Sequence, residues 1–231
     1  MTTERPILFS APMVRAILAG TKTQTRRVMK MTDRARQSIG DRWPVEAAPG
    51  YFRWEGLPAS PPFDAENFNA WCPYGAPGDH LWVRETVGAL PEYPDALTMP
   101  EYEGGHNPSR LIYRADEIRG LVTHYGIDFS RIRWRPAIHM PRWASRITLE
   151  VTGVRVERLQ AITEEDARAE GVLNYGERLV VEHDDPLLSW GRDRFRALWD
   201  TINGKRAPWN TNPWVWCVSF RRALAEGKGE G

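Results

Sequence analysis

The stretch ITLEVTGVRV, residues 147–156, carries the pattern on which the fold reading turns. Apolar side chains fall at Ile147, Leu149 and Val151, the period of two that marks a half-buried β-strand. The phase then slips at Gly153 and resumes at Val154 and Val156. One extra residue within a strand is the signature of a β-bulge, and glycine accommodates the distorted backbone. A bulge bends its strand and suits a closed or strongly curved sheet, so the chain reads as α+β with a small β-barrel-type core, flanking short helices and long loop insertions.

Upstream, the turn Pro77-Gly78-Asp79 leads into Leu81, Val83, Glu85 and Val87, which alternate with Trp82, Arg84 and Thr86. That alternation predicts one strand and turns Glu85 onto its aliphatic face. A short strand is expected at 111–114. Near the start, a strand over 6–10 precedes a helix over 12–19, opened by Pro12 and stopped by Gly20. Met13, Val14, Ile17 and Leu18 form its buried stripe.

Downstream, Thr163 and Asp166 match a loose capping box, and Gly171 supplies the stop for a helix over 164–170. A longer helix over 188–203 and a final strand over 214–222 complete the reading, with a frayed tail from 226. Stretches rich in Pro, Gly and Trp, near 31–77, 88–109, 116–143 and 172–187, read as surface insertions, with Trp43, Trp54 and Trp71 as lid candidates. No repeat or linker divides the sequence, so 1–231 is expected to be one domain.

The 231 residues carry 31 Lys plus Arg against 30 Asp plus Glu, a formal charge of +1. No bulk attraction to nucleic acid or membrane is built in, so an RNA partner would need a local patch. With 42% hydrophobic residues the chain can bury a sizeable core, and no apolar run approaches a bilayer's thickness. The expectation is a cytoplasmic protein with no membrane partner and no obligate protein partner. Cys72 and Cys217 form no CxxC pair, and His80, His106, His124, His139 and His183 lack HxH or HExxH spacing. Neither a metal nor another cofactor is expected.

The densest polar cluster is GTKTQTRR, residues 20–27, read as a loop behind the first helix. It is not a P-loop, which needs Gly before Lys and a helix after it. Its residue types fit either a solvated turn or a site. GTKTQTRR resembles the GxKxxxxR signature of the ASCH domain, with Gly20, Lys22 and Arg27 at the fixed positions. PILFSAPMVRAILAGTKTQTRR, PGDHLWVRET, MPRWASRITLEVT and NPWVWCVSFRR also look like the ASCH-type proteins of bacteriophages and prophages.

The resemblance implies a PUA-like barrel, used in that family for RNA binding or for hydrolysis of modified nucleosides. Small bacterial members that hydrolyse N4-acetylcytidine use a Lys, a Thr three residues on and a distant Glu, which fall here on Lys22, Thr25 and Glu170. The implied activity is a metal-independent amidohydrolase acting on N4-acylated cytosine nucleosides. The alternative is an RNA-binding or RNA-cleaving module.

In the hydrolase reading Thr25 attacks the acyl carbonyl and Lys22 takes its proton. Burial and the neighbouring Arg26 and Arg27 keep Lys22 partly neutral. Glu170, at a helix C-terminus, donates to the leaving nitrogen. Arg26, Arg27, Glu85 and Trp143 are the expected substrate-binding side chains. Arg27 fits a carbonyl or phosphate contact or a structural ion pair, and Glu85 a pocket role or pairing with an Arg. The Arg131, Arg133, Arg135, Arg142 and Arg146 run, with Trp134 and Trp143, fits an RNA grip or a surface patch packing its own rings.

Overall fold

Strands rich in β-branched and aromatic residues, broken by Gly and Pro, dominate the architecture, described by a computed structural model for residues 2–31, 42–54, 69–89, 111–116, 132–172 and 191–223. The protein is mixed α+β with mostly strands and few helices. In chain order the elements are β1 (Glu4–Leu8), α1 (Ala11–Leu18), β2 (Gln24–Val28), β3 (Pro44–Ala48), β4 (Tyr51–Trp54), β5 (Asn69–Trp71), β6 (His80–Arg84) and β7 (Val87–Ala89). They continue with β8 (Leu111–Tyr113), β9 (Trp134–Arg135), β10 (Thr148–Arg158), α2 (Glu164–Ala169), α3 (Gly191–Asn203) and β11 (Trp214–Arg222).

The principal sheet has the order β1-β6-β10-β11-β2, with β1 parallel to β6 and the other pairs antiparallel. β10 lies at its centre, and its register against β11 shifts between Val151 and Gly153, where the apolar phase slips. Resuming the alternation after the bulge returns Val154 and Val156 to the same packed face as Leu149 and Val151. That face joins Ile7, Phe9, Leu81, Val83, Trp216, Val218 and Phe220 in the main core, closed at one end by Val14 and Ile17 of α1. The opposite face packs under α2 and α3, where Ala167, Phe195 and Trp199 meet Val215 and Cys217. Among the described residues β1 and β2 remain the sheet's two edges.

Several readings change. Residues 24–28 form a strand rather than part of a loop, because Gln24 to Val28 pair antiparallel with Val215 to Ser219. The polar residue types hid this, since their partners come from distant elements. The 31–77 segment is also more than a surface insertion. β3, β4 and β5 form an antiparallel sheet whose Phe52 and Trp54, with Cys72, enter the main core. Trp54 is therefore a core residue, only 1% exposed, whereas Trp43 and Trp71 are 62% and 66% exposed. A four-residue strand is too short for its alternation to stand out.

The strand expected over 81–87 breaks after Arg84. Val87–Ala89 turns into a third sheet, in the order β8-β7-β9, so the 116–143 insertion contributes a strand of its own. The final strand spans 214–222 as read. The start of the helix expected over 188–203, most of the 172–187 insertion and the tail lie outside the described residues. No helix among those described is long and apolar enough to cross a membrane.

Candidate active site

Three backbone segments meet where α1 ends. Gly20 adopts a left-handed conformation at φ 75°, and the Thr21 and Lys22 amides both donate to the Ala16 carbonyl. Thr23 donates to Ala169 O, and Lys22 forms an isolated bridge with Glu170. Glu170 caps α2, whose start is held by the reciprocal Thr163 and Asp166 box. Gly171 follows at φ 83°; a Cβ there would come within 3.0 Å of Lys22 Cβ and 3.1 Å of Ala16 Cβ. Only glycine lets the turn pass this close.

Lys22 is 2% exposed, and its Nζ donates to Gln24 O, Glu170 O and Glu170 Oε2, each at 2.8 Å. All three ammonium protons thus have acceptors. Burial pulls the Lys22 pKa down, with help from Arg27 and Arg26, while Glu170 opposes the shift.

Strand alternation then separates the next residues. Gln24 and Arg26 face the helices, and the Arg26 side chain has no solvent exposure. Its Nη2 pairs with Glu157 and, at 2.9 Å, with Asp166. Its Nη1 donates to Gln24 Oε1 at 2.6 Å and to Glu170 Oε1 at 3.4 Å. Arg155 adds bonds to Glu157 at 3.2 Å and Asp166 at 2.5 Å, and the Cys217 thiol donates to Glu157 at 3.0 Å. Lys22, Arg26 and Arg155 therefore oppose Glu157, Asp166 and Glu170, three charges against three.

Burial alone would push the carboxyls of Glu157 and Asp166 up. The Cys217 thiol and Arg26 and Arg155 bring Glu157 below its ordinary value, and Arg26, Arg155 and the Thr163 amide do the same for Asp166.

Thr25 and Arg27 take the other face, Thr25 opposite Val218 and Arg27 opposite Trp216. Thr25 is 3% exposed. Arg27 Nη2 donates to Leu8 O at 2.6 Å, reaching from edge strand β2 to the end of the other edge strand, β1. Its guanidinium lies 5.2 Å from the Phe9 ring centre, and Lys22 Nζ lies 5.6 Å from the same ring. Phe9 thereby draws the two cations to one place. Arg27 has no carboxylate salt bridge among the described residues, and its buried Nε has no partner. Burial lowers its pKa, against the influence of Tyr74 and Glu170.

Glu85 and Trp143 belong elsewhere. Glu85 is 1% exposed and accepts two bonds from Arg146, at 2.9 and 3.1 Å. Arg146 also pairs with Asp116 at 2.8 Å and lies 4.0 Å from the Tyr113 ring centre. Burial raises the Glu85 pKa against the pull of Arg146. Trp143 packs on the cluster of Val87, Tyr113 and Met140. Arg142 is paired with Glu4 at 2.5 Å, so two arginines of the 131–146 run are engaged by carboxylates; Arg131 lies outside the described residues.

The structure thus joins Lys22, Arg26 and Glu170 by direct contacts, places Thr25 and Arg27 on the other face of β2, and leaves Glu85 and Trp143 in a separate cluster. Sequence reasoning missed Phe9, Tyr74, Arg155, Glu157 and Cys217. Charged residues at 155 and 157, out of phase with Val154 and Val156, were the one available signal. No protein-family model, curated protein or solved structure matches this chain.

Proposed function

We propose that this chain is an ASCH-type, metal-independent amidohydrolase that removes the acyl group from N4-acylated cytosine nucleosides. Its principal sheet would be the barrel-type core of that family. The bulge in β10 and the Arg27 bond to Leu8 O, from one edge strand to the other, support a sheet curled almost onto itself.

The observation that carries the reading is the buried 2.8 Å contact between Lys22 Nζ and Glu170 Oε2, with Thr25 three residues from the lysine. Lys22 must lose a proton before it can take one from Thr25, and Glu170 is the acid-base group in direct contact with it. The pair then supplies both roles, Lys22 as the free amine that accepts the Thr25 proton and Glu170 as the acid that donates to the departing nitrogen. Burial of Lys22 favours its free amine.

Thr25 Oγ then attacks the acyl carbon while its proton passes to Lys22. The C–N4 bond breaks as Glu170 gives its proton to the departing amine. Water hydrolyses the acyl-threonine, releasing a carboxylic acid and restoring the hydroxyl. Arg27, free of any carboxylate salt bridge among the described residues, is the donor for the substrate carbonyl.

The test is cytidine release from N4-acetylcytidine by metal-free protein, followed by ultraviolet absorbance. Turnover is expected in the wild type and a loss of at least about 10³-fold in each of Lys22→Ala, Thr25→Ala and Glu170→Ala. A folded wild type that turns over neither the acetyl nor a longer acyl substrate would falsify the reading.

A further inference from the structure

Arg26 uses its two terminal nitrogens differently. Nη2 is anchored by Glu157 and Asp166, which already supply full charge compensation. Nη1 is aimed by the Gln24 amide oxygen at 2.6 Å and reaches Glu170 Oε1 at 3.4 Å, on the oxygen that Lys22 does not hold. An arginine needed only to join β2 to its neighbours would be complete at Nη2. The planar, rigid guanidinium makes the second contact directional.

We propose that Arg26 is a positioning residue for the Lys22–Glu170 pair: it fixes the carboxylate and divides its charge, leaving Lys22 freer to give up a proton. The inference rests on the hydrolase reading, in which Lys22 acts as the base. Every layer around the pair contributes a group. Asp166 comes from α2, Arg155 and Glu157 from β10, the Cys217 thiol from β11, the Phe195 ring from α3 at 5.9 Å from the guanidinium, and Arg27 from the far face of β2. Among the described residues, Arg26 is the side chain besides Lys22 that contacts the Glu170 carboxylate. Removing it lets Glu170 concentrate on Lys22 and also removes a neighbouring cation; both changes hold the Lys22 proton more tightly.

Two measurements on the same proteins test this: the pH dependence of kcat/KM on N4-acetylcytidine, and the titration of Lys22 Nζ followed directly by ¹⁵N NMR. The variants are the charge-balanced pair Arg26→Met with Glu157→Gln, which keeps the buried charges equal, and the milder Gln24→Leu, which removes only the group aiming Nη1. The Lys22 midpoint and the rising limb of the rate profile are expected to move up by about one pH unit or more in the double variant, and less in Gln24→Leu. A purely structural role would lower stability and leave both midpoints in place. Unmoved Lys22 midpoints in the folded variants overturn the inference even if turnover depends on Lys22, Thr25 and Glu170. A moved midpoint in a protein without turnover upholds the role of Arg26 in the pair and rejects the hydrolase reading instead.

Discussion

Arg26 and Arg27 are consecutive residues of one strand, and their surroundings could hardly differ more. Arg26 points toward the helices into three carboxylates. Arg27 points toward the main core, over Phe9, and donates to the Leu8 carbonyl, while the buried Nε of both arginines is without a partner. The alternation of a β-strand imposes the split, and the two layers decide its consequences. On the helix side, carboxylates from β10 and the α2 cap compensate the charge. On the core side no carboxylate among the described residues pairs with it, and its donors are the ones the proposed reaction assigns to the substrate carbonyl. A buried charge on the first side acts as a fastener, and one on the second is a cost that binding would relieve.

The largest effect that could break this contrast is on stability. Arg26→Met should cost about 3–5 kcal/mol in urea unfolding, because it strands buried carboxylates. Arg27→Met should stay within about 1 kcal/mol of wild type, since it removes a half-buried charge with no carboxylate partner among the described residues. Equal losses would erase the distinction between the faces.

Acid sharpens it next. Glu157 and Asp166 titrate below their ordinary values in the folded protein, so their contribution is complete above the ordinary values of 4.5 and 3.8. It is lost as pH falls through the lowered folded values. Wild-type stability should decline across that acid range, and Glu157→Gln should flatten the decline; identical slopes in pH-dependent denaturation would contradict the assignment.

Smaller again is the α2 cap. Thr163→Ala should cost about 1 kcal/mol, measured by the same unfolding, by releasing the Asp166 amide and loosening a carboxylate that Arg26 uses. The smallest expected signal comes from the thiols, one buried on each side. Burial pushes Cys72 up to about 11 and Cys217 well above its ordinary value, the latter also through Glu157. Both should stay unlabelled by a thiol reagent at pH 8 until the protein is denatured. Rapid native labelling of Cys217 would mean that the helix-side layer opens.

Much of the fold was legible because it is written in local periodicity. The bulge at Gly153 and the capping box at Thr163 each follow from residues a few positions apart. The Lys22, Thr25 and Glu170 grouping was reached through resemblance, and its Lys22–Glu170 contact joins residues far apart in the chain. For Glu85 the sequence left a pocket role and pairing with an Arg both open, since an inward carboxylate on a strand looks the same in either case, and the structure shows the pairing, with Arg146.

The sequence by itself determined the central strand with its bulge, the last strand, the first helix and the capped helix, with their apolar faces, because backbone sterics and side-chain period act over short range. Tertiary structure alone decided that 24–28 is a strand, that Trp54 is core, and which of two adjacent arginines meets carboxylates. Those outcomes depend on packing partners contributed by distant segments, and a charge is compensated or left without a counter-ion only once the layers have closed around it.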